Sequence, residues 1–437
     1  MIECEKYNQS DLKWINKISS DWEIKRLKDF GTFQNGVSKG KEYFGLGFPF
    51  VSYGNVYNNT ISIDNIDKLA NSTIEEQKLY SVKEGDVFFT RTSETIDEIG
   101  ISSTCQSTIE TATFSGFVIR FRQDGKVLLK EFSNYYFKAN VNRLYLSNEI
   151  NIVTRASLSQ SVLGCLPVLI PNKNTQKQIA NFLDTKTQAI DKKINLLTQK
   201  ANYYKEYRKS LINETVCKGL DKSVKLKDSE IEWIGKIPEH WEVKRFKDVC
   251  YKNTTGGTPS TSSQEHFYGN NTWITIADLG NDKFVKKSKL GLTDEAIKLA
   301  NIPITPKGSL IYSFKLTVGK IAFAKKDLYT NEALISIMPN KLIDLEYCYF
   351  MLPIFLLLNA TENIYGAKML NQKIISNTIL VYPPLSEQAQ IAKYLDDKTQ
   401  TIDKIVSNIN TQIQNLKELR KTLINDAVTG KIKVTKD

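Results

Sequence analysis

PNKNTQKQIANFLDTKTQAIDKKI, beginning at Pro171, returns as PPLSEQAQIAKYLDDKTQTIDKIV from Pro383. The offset is a constant 212 residues, and Gln178, Ile179, Ala180, Leu183, Asp184, Lys186, Thr187, Gln188, Ile190, Asp191 and Lys192 recur unchanged at Gln390, Ile391, Ala392, Leu395, Asp396, Lys398, Thr399, Gln400, Ile402, Asp403 and Lys404. A shorter echo precedes each half: WINKISSDWEIKRLKD from Trp14 returns as WIGKIPEHWEVKRFKD from Trp233. Internal repeats fix an architecture before any local reading. The chain is a tandem duplication whose inserts, from about Phe30 to Leu169 and from Val249 to Val381, have diverged while the frame has not.

The repeated stretch opens a long helix. Ile190, Ile194, Leu197, Ala201, Tyr204, Arg208 and Leu211 are spaced 4-3-4-3-4-3, and Ile402, Val406, Ile409, Ile413, Leu416, Arg420 and Leu423 repeat the series. That alternation keeps one face turned toward a partner helix. No helix breaker interrupts Lys173 to Lys218 or Ser386 to Thr429, and Gly219 and Gly430 stand where helix C-caps belong. At about 1.5 Å per residue each rod is roughly 65 Å long. An antiparallel pair would place the two inserts at opposite ends, related by a pseudo-twofold axis. Arg208 and Arg420 interrupt the apolar seams, as residues that fix register, reach a partner protein or simply extend to water.

The 437 residues suit two similar domains plus helical connectors, each insert being long enough to bury its own core. The net charge of +11 and pI near 9.0 favour a polyanionic partner, nucleic acid before membrane. The longest apolar run, Tyr347 to Leu358, is too short to span a bilayer, contains Pro353, and reads as a buried helix; no charged-then-apolar N-terminal signal appears. Six scattered cysteines without a CxxC pair point to a reducing cytoplasm and buried single thiols, not to a disulfide framework or a zinc site.

Both inserts alternate strand-like runs with short helices. In the first, Asp86 to Thr92, Gly116 to Phe121 and Leu166 to Ile170 read as strands, and Ser72 to Tyr80 and Lys130 to Lys138 as helices. In the second, Thr272 to Ile276, Ser309 to Phe314, Lys320 to Ala324 and Thr378 to Tyr382 read as strands, and Asp294 to Ala300 and Asp344 to Leu358 as helices. The fold class is mixed α/β (α+β).

Several loops carry residue types that touch DNA. Ser52, Tyr53 and Asn55 offer a hydroxyl, an aromatic ring and an amide, and Lys39 and Lys41 lie just upstream. Arg91 and Thr92 set an arginine among small hydroxyls, a combination suited to guanine edges or phosphates. Arg155, Ser157 and Gln160 fall at the 212 offset opposite Ala367, Met369 and Gln372, and the second stretch adds Lys368 and Asn371. The second insert further offers Thr258 and Ser260 in the GGTPS loop, Thr275, Ser313, Lys315 and Lys320.

Catalytic material is scarce. No GxxxxGK[ST] phosphate loop and no glycine fingerprint of a nucleotide-binding turn occurs. Tyr382-Pro383-Pro384-Leu385 lacks the Asn or Asp and the final aromatic of the [ND]PP[YF] loop of adenine methyltransferases, and reads as a strand-to-helix stop. With only His240 and His266, histidine-based catalysis or a histidine metal cluster has almost no material. The expectation is a non-catalytic chain that binds no metal and no cofactor.

Taken together, IPEHWEVKRF (Ile237 to Phe246) before the insert and PPLSEQAQIAKYLDDKTQTID (Pro383 to Asp403) after it, with the degraded first copies ISSDWEIKRL and PNKNTQKQIANFLDTKTQAID, resemble the specificity (S) subunit of type I restriction-modification enzymes. The likeness covers essentially the whole chain, and GGTPS followed by Trp273 to Leu279 is similar to a common target-recognition domain of that family. It implies target-recognition domains at 1–170 and, after the spacer helix at 171–219, at 220–382 with their linker; a second spacer helix and tail occupy 383–437. Each domain would read one half of a bipartite site in double-stranded DNA, the helices forming an antiparallel coiled coil that sets the spacer. It implies as partners two methyltransferase subunits carrying S-adenosylmethionine and two ATP- and Mg-dependent translocase-nuclease subunits, in the cytoplasm, so that the assembled complex methylates adenine N6 and cleaves DNA. A specificity partner of another restriction class and a sequence-blind coiled-coil DNA-binding adaptor are the competing readings. The first half departs from the pattern at Asn172-Lys173-Asn174 and Ser19-Ser20, and the first insert lacks a GGTPS loop.

Overall fold

The computed structural model describes residues 22–57, 60–93, 95, 98–149, 156–280, 282–285, 287–362 and 368–434. The chain sorts into two compact units, Met1–Thr198 with Asn410–Asp437, and Gln199–Ile409. Each long helix therefore gives its first part to one unit and its last part to the other.

The frame echo and the strand before each long helix are partners. In the first unit Glu23–Arg26 runs antiparallel to Pro167–Ile170, Glu23 opposite Ile170; in the second Glu242–Arg245 runs antiparallel to Ile379–Tyr382, Glu242 opposite Tyr382. Proline follows in both, fixing the backbone where the strand ends, and the helices Lys173–Lys218 and Leu385–Val428 begin. Gln176 and Gln388, both fully buried, anchor these beginnings. Each donates its amide to the proline carbonyl at 2.8 Å, from Gln176 to Pro171 and from Gln388 to Pro383. Each also accepts a backbone N–H where another helix starts, from Leu129 at 2.7 Å and from Asp344 at 2.9 Å.

The helix ends are equally matched. Gly219 (φ +74°) and Gly430 (φ +73°) adopt the left-handed conformation that closes a helix. A Cβ on Gly219 would lie 2.9 Å from the Trp241 indole, and one on Gly430 would lie 3.2 Å from that of Trp22. The tryptophan of each echo thus covers the end of a long helix within its own unit. Trp241 also donates its indole N–H to Glu387 at 2.9 Å.

Inside the units the inserts, though barely alignable, share one plan. The first has a sheet in the order Gly31–Asn35, Val118–Gln123, Val87–Thr90, Ser102–Cys105, Thr60–Ile61; the second has Asn253–Thr255, Leu334–Ile337, Leu310–Ser313, Ile321–Phe323. A smaller sheet repeats as well: Phe44–Val51 lies between Leu69–Ala70 and Thr113–Phe114, and Asn271–Ile274 between Leu290–Leu292 and Tyr329–Thr330. In both, the middle strand pairs antiparallel with one neighbour and parallel with the other. Val87–Thr90 and Leu310–Ser313 are buried at every residue, as a central strand covered on both faces must be. Arg91 lies just past the first of these, between it and the short strand Thr92–Ser93.

The expected apolar helix spans Leu345–Leu358, with Pro353 inside it, and supplies Tyr347, Met351, Leu352 and Phe355 to the second unit's core. That core also takes Ile212 and Val216 from the first long helix and Ile391 and Leu395 from the second. In the first unit, Ile179 and Leu183 meet Ile424, Ala427 and Val428 around Phe132, Tyr136 and Leu169. Side chains of this size contribute about 1.5–3 kcal/mol each on full burial.

Arg420 Nε stands 3.1 Å from Asp191 in the first unit, and Arg208 Nε 3.2 Å from Asp403 in the second. Within each unit, then, positions rising along one helix meet positions falling along the other, so the helices pack antiparallel. The fold is mixed α/β, built twice, with two long helices packed together.

Cys105, Cys217, Cys250 and Cys348 are buried free thiols. Cys165 departs from the expectation of single thiols, its sulfur being disulfide-bonded. Among the described residues no helix is long and apolar enough to cross a membrane and no cluster of metal-ligating side chains is present.

Candidate nucleic-acid interface

In each unit the polar loops singled out in the sequence stand on matching supports. The first support is a turn after the middle strand of the small sheet. Ser52 contributes its backbone N–H and its hydroxyl to Asn55 Oδ1, at 2.8 and 2.7 Å; Thr275 makes the same two bonds to Asp278 Oδ2, at 2.9 and 2.8 Å. Asn55 is 4% exposed and donates its amide to the Asn65 carbonyl at 2.8 Å, so it holds the turn and does not face solvent. Tyr53 is half-buried against the core around Val51, Val56 and Phe88 and lies beside Tyr57, their hydroxyls 3.4 Å apart. Burial, helped by the Tyr53 hydroxyl, pushes the Tyr57 phenol well above its ordinary range.

The second support is a hydroxyl clamp at the end of the central strand. Ser313 donates to the Thr317 carbonyl at 2.6 Å and accepts the Lys320 N–H at 2.8 Å, while its backbone pairs with Lys320 O and Gly319 N. Thr90 donates to the Glu98 carbonyl at 2.6 Å and accepts the Ile101 N–H at 2.9 Å, its backbone pairing with Ile101 O and Gly100 N. One clamp closes the loop that begins at Arg91, the other the loop that begins at Phe314. The second loop lifts Leu316, 90% exposed and at φ +60°, beside Lys315. Lys320 turns its amine to the Ile276 carbonyl, 3.1 Å away, and so ties this loop to the Thr275 turn.

The third support lies where the backbone passes the small sheet. Val37 N–H reaches Phe114 O at 2.7 Å, and Gly257 N–H reaches Thr330 O at 2.9 Å. A Cβ on the preceding residue would be 2.1 Å from Phe114 O at Gly36 and 1.8 Å from Thr330 O at Gly256. Gly36-Val37-Ser38-Lys39-Gly40 therefore occupies the station of the GGTPS loop, which the first insert lacks by sequence. Lys39 pairs with Glu76 at 3.5 Å, and Lys41 is exposed on the turn Lys41–Tyr43. Thr258 bonds Glu332, and Ser260 lies 2.7 Å from the Ser262 hydroxyl.

A fourth station precedes the strand that leads to each long helix. Ser159 and Asn371 cap the short helices Gln160–Gly164 and Gln372–Asn377, accepting N–H bonds at 3.1 and 2.8 Å. Gln160 donates to Asn35 and Gln372 to Thr255, both at 3.0 Å, which joins this station to the first strand of the sheet.

In the first unit these stations converge. Arg91 directs its guanidinium at the Gly116 carbonyl, 3.4 Å away, and its own carbonyl accepts Leu158 N–H at 2.8 Å. Thr92 pairs with Ser157. A cavity of about 770 Å³ beside them is lined by Lys39, Ser52, Lys68 and Phe117 among others. In the second unit Lys368 is exposed on the hairpin strand Lys368–Met369 and pairs with Glu362 at 2.7 Å, an interaction that lowers the Glu362 carboxyl below its ordinary range. Arg155 lies outside the described residues.

Along the seams, Ile190, Ile194, Leu197, Tyr204, Arg208, Leu211, Val406, Ile413, Leu416, Arg420 and Leu423 are half-buried and Ile402 and Ile409 buried, while Lys192, Lys193, Ser407 and Asn408 between them are exposed. Sequence reasoning did not assign the clamp role of Thr90, the turn- and helix-capping roles of Asp278 and Ser159, or the anchoring role of Gln176 and Gln388. The glutamines recur unchanged at the 212 offset and were there to be found. Thr90 and Ser313 share only a hydroxyl, at an offset of 223 that also relates Ser52 to Thr275.

The family model described as the type I restriction modification DNA specificity domain matches residues 19–199 and again 238–415. The chain is 29% identical over 198 residues to the type I restriction enzyme MjaIX specificity subunit of Methanocaldococcus jannaschii, a match spanning 44% of this chain and 45% of that one. It is 23% identical over 430 residues to the putative MjaX specificity subunit of the same organism, covering 96% of each. A solved chain from work on complex assembly and conformational transition of the type I R-M system superposes with a TM-score of 0.74, 15% identity, and coverage of 95% of this chain and 100% of that one. The repeated match, over most of the sequence and on both copies of the frame, places this protein in the type I restriction-modification DNA specificity family.

Proposed function

We propose that the chain is the sequence-specific DNA-recognition subunit of a type I restriction-modification complex, each insert reading one half of a bipartite, asymmetric site. The observation that carries this reading is the doubled frame: the same turn, clamp, close approach and capped helix recur in both units and hold different side chains. One scaffold that presents two sets of side chains suits two different base sequences. Phosphate contacts from a +11 chain would position the domains, and the loops would read base edges.

The long helices set the separation of the two readers and dock the methyltransferase subunits. Catalysis belongs to partners: two methyltransferase subunits with S-adenosylmethionine, and two translocase-nuclease subunits with ATP and Mg. The complex acts on adenine N6 in the cytoplasm, and this chain contributes neither nucleotide nor metal chemistry.

Sequencing methylated bases in DNA from cells that express the chain with its methyltransferase partner tests this. The expected result is one bipartite motif with an unread spacer, and no methylation by the chain alone. Sequence-blind, purely salt-dependent binding with no motif would overturn it in favour of an adaptor.

A further inference from the structure

A concavity of the second unit, of about 420 Å³, is ringed by lysines. Lys287, Lys289, Lys325 and Lys326 line it, with no carboxylate among its walls. All four are exposed, and none is ion-paired with a described residue. Four like charges around one basin repel one another, and an anion placed among them relieves that repulsion.

The basin is also held open. The Ser288 hydroxyl bonds the Trp273 carbonyl and accepts Leu290 N–H at 3.1 Å, so the segment carrying Lys287 and Lys289 is pinned to the small sheet. Lys289 N–H reaches Asp278 Oδ1 at 3.3 Å, which joins the segment to the Thr275 turn. On the opposite wall Lys325 rests over the Phe284 ring, 5.3 Å from its centroid. Gly269 and Gly291 lie against each other in the lining, where a Cβ on Gly291 would meet Gly269 O at 2.1 Å, so that part of the basin is bare backbone. The cavity described in the first unit differs in kind, with Asp67 and the rings of Phe44, Phe50 and Phe117 in its lining.

We propose that this basin seats phosphates of the DNA backbone alongside the half-site read by the second insert, as a sequence-independent clamp. Resting on the function proposed above, it adds four residues that position DNA without reading it. Lysine suits that role as a mobile point charge, where base readout favours planar, bidentate groups.

The test replaces Lys287, Lys289, Lys325 and Lys326 by Gln in the chain assembled with its methyltransferase subunits, and measures binding to a site-containing duplex and an unrelated duplex over a salt series. The slope of log K against log salt is expected to become shallower by roughly 2–4, about 0.9 for each phosphate no longer neutralised. Affinity for both duplexes should fall by the same factor, and the methylated motif should stay unchanged. A control that removes equal charge elsewhere (Lys247, Lys298, Lys307 and Lys341 to Gln) should keep the parental slope, and the four-fold Lys→Arg variant of the basin should restore it. A parental slope in the folded Gln variant, or an altered motif, overturns the clamp. Absence of any motif with the parental chain would instead overturn the recognition function itself.

Discussion

The Arg208 guanidinium stands 3.2 Å from the Asp403 carboxylate, and the relation returns with the helices exchanged, as Arg420 and Asp191 at 3.1 Å, the arginine 212 residues later and the aspartate 212 residues earlier. Both arginines interrupt apolar seams in the sequence, and the structure supplies their partners. With the arginines 33% and 26% exposed and the aspartates 59% and 46%, each pair contributes only about 0–1 kcal/mol. Their value lies in register, because an antiparallel seam slipped by one turn would leave each arginine against the wrong residue.

Arg208→Asp is therefore expected to destabilise the second unit by about 1 kcal/mol, with Asp403→Arg recovering most of the loss when the two are combined. Urea denaturation of the two single variants and the exchanged pair measures the coupling. Additive losses in the exchanged pair would show that this ion pair does not set register.

Ser313→Ala removes both an acceptor and a donor from a fully buried position, leaving Lys320 N–H and Thr317 O without their partner. The expected loss is about 1–3 kcal/mol, concentrated in the loop. Base preference should relax in one half-site alone, and Ser313→Thr should retain it. Thr90→Val should relax the other half-site, and methylation profiling of substrates degenerate at each position distinguishes the two.

Gly256→Ala and Gly36→Ala drive a Cβ into a carbonyl oxygen, at 1.8 and 2.1 Å, where backbone cannot yield as a side chain could. Each should cost at least about 2 kcal/mol. Gly280, whose Cβ would meet nothing within 4 Å, should accept alanine with little change. Equal melting temperatures for the three variants would contradict the close approach.

The frame was legible because its residues must stay themselves. A proline that ends a strand, a glycine that closes a helix over a tryptophan, and a 4-3 seam tolerate few alternatives, so both copies keep them. The strands around Val87–Thr90 and Leu310–Ser313 were legible from continuous apolar burial. The equivalence of the inserts was not legible, since its supports ask only for a chemical group. A hydroxyl clamps equally as Thr90 or Ser313, and an oxygen caps equally as Asn55 or Asp278. Loops of unequal length between the supports then shift the offset from 212 to 223. For the same reason Asn55, Thr275 and Ser313, chosen from sequence as polar contacts, serve the loop frame with their side chains.

The long helices cross the boundary between the compact units at Thr198/Gln199 and at Ile409/Asn410. If they set the distance between two readers, four residues inserted at both points should lengthen that distance by about 6 Å, while overshooting a full helical turn by about 40°. A four-residue insertion is a stutter that a helical seam can absorb. Both half-site sequences should survive, because the clamps and turns that hold the loops lie within the units and are untouched. The preferred unread spacer should grow by up to two base pairs, taking about 3.4 Å per step. Methylation of duplexes that differ only in spacer length reads the outcome. An unchanged optimum in a folded, active variant would remove the helices as the element that sets the spacing.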